Sequence, residues 1–337
     1  MILTVACVLA LSHMAVAGIG CRDEQGQPVD WFAAIKRNNS FGYAYMGPKS
    51  SDFSQSSMLL SDPSAGSISL TLAQLYGNQS LSYLFYNDEP PSSSSPSSYA
   101  HAKGVVGMDD SLDGFWLVHS TPRWPSGPSE ANGYPGMPDM ELTYGQSFLC
   151  ISVSGAAALE TIGQALVLDK PSVYDGSVSK RVGNASPAMT DVINKKWSGL
   201  PNCDMTQLKS SGGAVFSVFA KSSQWADELY SKCVAPKLGA QRLVVESWIR
   251  GGACDPQCGA NEVLDVGNVE IAGWGWRETQ DHSKWAATSD GRTGCIGDIN
   301  RMTSQAKRGG GTVCTEAGAL GRSLAKAVVS LSDSCNA

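Results

Sequence analysis

Apolar residues in this chain come in short runs separated by Gly, Pro, Ser and Asn. The segment from Cys21 to Val29 leads into Trp31-Phe32-Ala33-Ala34-Ile35, an unbroken apolar run suited to a buried strand. Runs of the same kind recur at 81–86, 104–108, 115–118, 147–153, 215–219, 243–248 and 269–271. Helical candidates are fewer, the clearest being 154–168, 222–232 and 316–331, so the predicted class is mixed α/β. Two stretches interrupt the pattern: Asp88-Glu89-Pro90-Pro91 with the serines that follow to Ser98, and the Gly- and Pro-rich segment 122–138. Both read as loops on a scaffold, not as domain linkers. No short-period repeat is visible, which excludes solenoids and propellers.

The first seventeen residues stand apart, with no Asp, Glu, Lys or Arg, an apolar centre from Val5 to Leu11 and the small-residue ending Ala15-Val16-Ala17. Residues 1–17 read as a signal peptide. No later stretch approaches the roughly 20 apolar residues of a spanning helix, so no membrane span is expected. Removing Cys7 with the leader leaves nine cysteines, and that density points to an oxidising compartment with one thiol left over. Cys254 and Cys258 are closely spaced, but no second Cys/His pair completes a zinc site, and no metal or cofactor is expected. Sequons at Asn38, Asn78 and Asn184 permit glycosylation on a secretory route.

Charge narrows the function classes. The formal net charge is −6 at pH 7, whereas a nucleic-acid binder working at neutral pH is usually basic. Near pH 4.5 the histidines past the leader are protonated, as are about a quarter of the carboxylates, and the sign of the field reverses. Acid conditions therefore remain open to a nucleic-acid enzyme where neutral ones do not.

One small pattern recurs at long range. His101-Ala102-Lys103 lies in the first half and His282-Ser283-Lys284 in the second, 181 residues on. In an extended segment residues i and i+2 share a face, so each motif sets an imidazole beside an ammonium. Either motif alone reads equally well as a surface His and Lys on a loop. Two facing each other supply a neutral imidazole to attack phosphorus, a protonated one to release the leaving oxygen, and two lysines against the phosphoryl charge. One copy per half suggests a duplication, with two similar lobes meeting at one site. The remaining histidine of the body, His119, directly follows the predicted strand 115–118 and reads equally as a structural histidine holding a loop.

Together with these motifs, Gln27-Pro28-Val29-Asp30-Trp31-Phe32, Leu84 to Pro91, Gly114 to Ser120, Thr143-Tyr144-Gly145-Gln146, Gly213 to Phe216, Asp281 to Trp285, Gly297 to Arg301 and Arg308 to Thr312 run in order along nearly the whole chain. In these segments the sequence resembles the deoxyribonuclease II family, which is in turn similar to the phospholipase D superfamily. The resemblance implies a phospholipase D-like α/β fold of two pseudo-symmetric lobes, 18–175 and 176–337, each a sheet flanked by helices. It implies a catalytic set of His101, Lys103, His282 and Lys284, with Asn300 and His119 as phosphate- or substrate-binding residues. Asp109 and Asp290 each follow a motif lysine by six positions and do not match the superfamily's orienting Asp. The resemblance further implies disulfides Cys21–Cys150 and Cys295–Cys314, and one from Cys258 or Cys254 to Cys335. Cys203, Cys233 and the unused member of that pair remain, and two of these three can bond.

The expected function is a metal-independent acid endonuclease that hydrolyses DNA to 3′-phosphate and 5′-hydroxyl ends through a phosphohistidine. Its partner would be DNA, double-stranded or single-stranded, and its location the lysosome or the extracellular space. Monomer and homodimer are both open. Two other readings stand beside it: a secreted phosphodiesterase or phospholipase with the same kind of site, and a catalytically weak nucleic-acid-binding or toxin-like protein.

Overall fold

The computed structural model describes residues 18–335 apart from 93 and 95. The expected leader, Cys7 included, and two serines of the Pro/Ser-rich loop lie outside the described residues. The strands form two large sheets. The first contains β1 (Trp31–Lys36), β2 (Gly42–Met46), β3 (Ser54–Leu59), β4 (Ser82–Asn87), β5 (Lys103–Met108), β6 (Asp113–His119), β7 (Gln146–Ser154) and β8 (Val173–Ser177), in the order β3-β2-β1-β7-β6-β5-β4-β8. The second contains β9 (Cys203–Lys209), β10 (Val215–Lys221), β11 (Arg242–Glu246), β12 (Glu262–Ile271), β13 (Trp274–Arg277), β14 (Trp285–Thr288), β15 (Gly294–Gly297) and β16 (Gly310–Thr315), in the order β13-β12-β11-β14-β15-β16-β10-β9, with β17 (Val328–Leu331) on β12. Six α-helices accompany them among the described residues: α1 (Ser67–Ala73), α2 (Ala156–Asp169), α3 (Lys180–Ala185), α4 (Pro187–Ile193), α5 (Ala235–Leu238) and α6 (Leu320–Ala327).

The central strands of the two sheets correspond. β1-β7-β6-β5-β4 and β10-β16-β15-β14-β11 are both antiparallel throughout. The first His-x-Lys motif runs into β5 and the second into β14, the same place in each order. The sheets differ beyond that core, since β8 is antiparallel to β4 while β12 is parallel to β11. The last strand of the first sheet ends at Ser177, two residues past the boundary expected from sequence.

Apolar runs without alternation have a simple cause here: the central strands are covered on both faces. On β1, Trp31, Ala33 and Ile35 enter a core between the two sheets, while Phe32 and Ala34 enter a second core behind the first sheet. β10 does the same, sending Phe216, Val218 and Ala220 to the shared core and Phe219 to a third core behind the second sheet. Trp31 and Phe216 meet edge to face across the shared core, ring centroids 6.3 Å apart. The inner faces of α2 and α6, including Leu159, Ile162, Leu166, Leu320 and Leu324, complete that core. Burying a side chain of this size contributes about 1.5–3 kcal/mol, so the shared core ties the halves together firmly.

Two predicted helices are corrected. Residues 222–227 form turns, with Ala226 at φ 58°, and helical structure begins only when the Glu228 carboxylate accepts the N–H groups of Tyr230 (2.8 Å) and Ser231 (2.6 Å). A side-chain cap, not periodicity, sets that start. The stretch 316–331 is helical only over Leu320–Ala327; β-branched Val328 and Val329 open a strand in which Val328, Ser330 and Leu331 pair with β12, a tertiary edge that sequence does not show. Four disulfides are formed: Cys21–Cys150, Cys203–Cys233, Cys258–Cys335 and Cys295–Cys314. Cys254 is the free thiol among the described residues, which resolves the alternatives left by the spacing.

Candidate active site

Each motif is gripped by the sheet opposite its own. His101 donates its backbone N–H to Gly309 O, and His282 donates its own to Gly145 O, both at 2.9 Å. The lysine that follows is held in the same crossed way. Lys284 N–H donates to Ser147 Oγ (2.9 Å) at the start of β7, and Lys103 N–H donates to the Asp298 carboxylate just after β15. The two motifs are thereby fixed against each other by short backbone contacts, and not only by side-chain packing.

Around the first motif the surroundings are ionic. His101 Nδ1 lies 2.5 Å from the Asp298 carbonyl oxygen, which can only accept, so Nδ1 carries the proton and Nε2 of the neutral ring is left with its lone pair. Nε2 lies 4.0 Å from the Asp88 carboxylate. Asp88 is also ion-paired with Lys103 and, at 3.1 Å, with Arg308. Burial alone would raise the Asp88 carboxyl, but the neighbouring His101 ring and the charges of Lys103 and Arg308 hold it well below the usual carboxylate range. Arg308 extends the grip by donating to the carbonyls of Tyr99 and Ala100, directly ahead of His101.

Aromatic rings surround the second motif. The His282 ring stacks on Tyr144 with centroids 4.1 Å apart and planes 4° from parallel, and Trp248 meets it edge to face at 4.4 Å. His282 Nε2 makes no hydrogen bond among the described residues. Lys284 Nζ donates to the His282 carbonyl at 2.5 Å. Extending the antiparallel register of β11 on β14 past Glu246 and Trp285 sets Trp248 opposite Ser283, as extending that of β4 on β5 past Asn87 and Lys103 sets Asp88 opposite Ala102, so the two take corresponding places beside the motif histidines. The same position is a carboxylate on one side and an indole on the other.

The charges of the two motifs act on each other. His101 is pushed well below its ordinary pKa, first by burial and then by Lys103, Lys284 and Arg308, with Asp88 opposing. His282 falls to about 2 through burial, Lys284 and Lys103, and Lys284 itself falls to about 7 through burial and Lys103. Two neutral imidazoles lie among Lys103, Lys284 and Arg308, with the Asp88 carboxylate opposing these cations. A bound phosphodiester would add further negative charge and raise both histidines toward the range in which one can hold a proton.

Asn300 and His119 each follow a motif lysine by sixteen positions, at matching places after β15 and at the end of β6. Their surroundings differ. Asn300 is buried with Oδ1 free of any hydrogen bond among the described residues. His119 is packed edge to face on Trp124 (4.8 Å) in the core behind the first sheet, and burial followed by the Lys103 charge lowers its pKa strongly. Asp109 and Asp290 sit in the hairpin turns that follow the two motifs, where they accept Ser111 N–H (2.8 Å) and Arg292 N–H (3.0 Å); neither orients a histidine. The His101 ring is oriented by the Asp298 carbonyl and faces the Asp88 carboxylate, and sequence reading singled out neither residue. Both stand in quoted segments, and Asp88 directly follows the strand paired with Lys103, a signal visible only once β4 and β5 are aligned.

No three His, Cys, Asp or Glu side chains among the described residues are grouped closely enough to hold a metal ion. No helix is long and apolar enough to cross a membrane among those residues. A family model described as Deoxyribonuclease II matches residues 20–334. The chain is 35% identical to deoxyribonuclease-2-alpha of Rattus norvegicus, over 94% of this chain and 96% of that protein. It is 35% identical to a putative deoxyribonuclease-2 of Burkholderia thailandensis, over 88% of each chain. Plancitoxin-1 of Acanthaster planci is 33% identical, over 88% of this chain and 87% of that one.

Proposed function

This chain belongs to the deoxyribonuclease II family and is a nuclease acting on DNA, and on that premise we propose that it is a metal-independent acid endonuclease using both His-x-Lys motifs as one active site. The observation that carries the proposal is the crossed grip, with each motif anchored on the opposite sheet and the charges of each felt by the other. His101, with its Nδ1–H committed to the Asp298 carbonyl, presents the Nε2 lone pair and attacks phosphorus. Lys103 and Lys284 meet the non-bridging oxygens, and protonated His282 gives its proton to the departing 5′-oxygen. The phosphoryl group then rests on His101 with the 3′-oxygen attached. Water, deprotonated by the now neutral His282, displaces it to leave a 3′-phosphate and a 5′-hydroxyl. Asn300 is suited to meet a phosphate oxygen through its side chain, whereas His119 would act through packing beneath Lys103.

The matched strand orders support two phospholipase D-like lobes that divide just after Ser177, close to the expected 175/176 boundary, and the four disulfides support a secretory route behind a leader at 1–17, ending in the lysosome or outside the cell. Plasmid cleavage in excess EDTA, scanned from pH 4 to 8, tests the activity. Full cleavage at mild acid pH is expected. An optimum at pH 7 or above, a requirement for added Mg²⁺, or inversion at a chiral phosphorothioate would each overturn the mechanism.

A further inference from the structure

Two lysines outside the motifs occupy one and the same place in the two sheets. Lys36 ends β1 opposite Gln146, the first residue of β7, and Lys221 ends β10 opposite Gly310, the first residue of β16. Both are buried, and neither makes an ion pair among the described residues. Each ammonium instead spends its donors on carbonyls. Lys36 Nζ donates to Arg37 O (3.1 Å), Leu142 O (2.8 Å) and Tyr144 O (2.7 Å). Lys221 Nζ donates to Gln305 O (3.3 Å), Ala306 O (2.8 Å) and Arg308 O (2.5 Å). A ring closes each pocket, Phe41 at 6.0 Å and Trp225 at 5.9 Å.

The carbonyls so gathered belong to the loops that grip the motifs. Loop 142–145 stacks Tyr144 on the His282 ring and accepts His282 N–H at Gly145. Loop 305–309 accepts His101 N–H at Gly309 and carries Arg308 onto the Tyr99 and Ala100 carbonyls. Three carbonyl dipoles turned toward one buried point repel one another unless a cation sits there; Gln305 O also accepts Arg308 N–H at 3.0 Å, so the lysine is its second donor. Each lysine is therefore one loop removed from one histidine, and from a different one.

We propose that Lys36 and Lys221 are paired positioning residues, Lys36 setting His282 and Lys221 setting His101 across the interface between the two sheets. The charges facing Lys36 are Glu141, Asp281 and Arg37, and those facing Lys221 are Asp169, Glu228 and Asp227. Burial brings Lys36 down to about 7 and Lys221 to about 8, so both clamps are charged in acid and weaken from neutrality upward. This gives the acid range a second, structural basis besides the histidine proton.

The inference rests on the motifs being the active site, and the test separates the two. The chain has four histidines, so ¹⁵N-histidine labelling of the full protein gives a sparse spectrum. Lys36→Met should shift the His282 ring resonances and leave those of His101 in place; Lys221→Met should do the reverse. Each should lower kcat by about 100-fold with KM within about 3-fold, the size expected of a misplaced reacting group. Lys36→Arg and Lys221→Arg, which keep the charge at every pH used, should recover at least about tenfold and move the alkaline limb of the rate profile upward. Unmoved rings in both Met variants, or equal shifts of all rings, overturn the proposal whether or not the protein cleaves DNA. If a Met variant does not fold, its Arg counterpart decides, because a planar guanidinium cannot set one nitrogen against three carbonyls and must still shift the same single histidine.

Discussion

Replacing Asp298 by Asn isolates the support beneath the first motif. The carboxyl is fully buried beside that of Asp169, accepts Gly311 N–H at 2.9 Å and Lys103 N–H, and burial pushes it up to about 7. Asp169, which accepts Lys221 N–H at 3.1 Å, is raised well above its ordinary value by burial and then by Asp298. The proton therefore belongs to the pair. An acid whose folded pKa lies above its unfolded one favours the fold fully below the unfolded pKa, near 4, and loses that contribution as pH rises through the folded one, near 7. At about 1.36 kcal/mol for each pH unit of rise, the pair's shared proton makes the parent lose up to a few kcal/mol between pH 4 and 8. The Asp298→Asn variant carries no such dependence at that position. Its amide has one acceptor oxygen in place of two, which costs about 1–3 kcal/mol at every pH. Urea unfolding followed by tryptophan fluorescence should find the variant less stable at pH 4, with the gap closing or reversing by pH 8. Parallel stability curves across that range would refute the shared proton, and unchanged kcat would refute the support of Lys103.

Substituting either motif histidine by Asn should abolish cleavage, and the double variant should be no worse than each single one, because nucleophile and acid act as a unit; His119→Ala should cost less, and a motif variant retaining activity within about tenfold of the parent would count against the pair. Asp88→Asn removes the carboxylate that occupies the cations of Lys103 and Arg308, so inorganic phosphate should inhibit more tightly while kcat falls, measured by steady-state inhibition at pH 5. Weaker phosphate inhibition would exclude that picture. Breaking Cys295–Cys314, which closes a loop of 19 residues, should lower stability by about 3 kcal/mol in thermal unfolding, whereas Cys254→Ser should change neither stability nor activity.

The sequence by itself determined what depends on local pattern and composition. Unbroken apolar runs marked most of the central strands because both their faces are covered, and the two His-x-Lys motifs marked the residues from which the proposed site is built. Short or polar strands such as β3 (Ser-Gln-Ser-Ser-Met-Leu) and β9 were not legible, since their pairing is fixed by neighbours and not by their own residues. Tertiary structure alone decided the supports. Lys36, Asp88, Lys221, Asp298 and Arg308 look in sequence like ordinary charged residues beside apolar runs. They acquire roles because strand order brings loop carbonyls and backbone N–H groups from distant parts of the chain to one buried place, where an unpaired polar group is costly and a charge has to be met by whatever the fold has placed there.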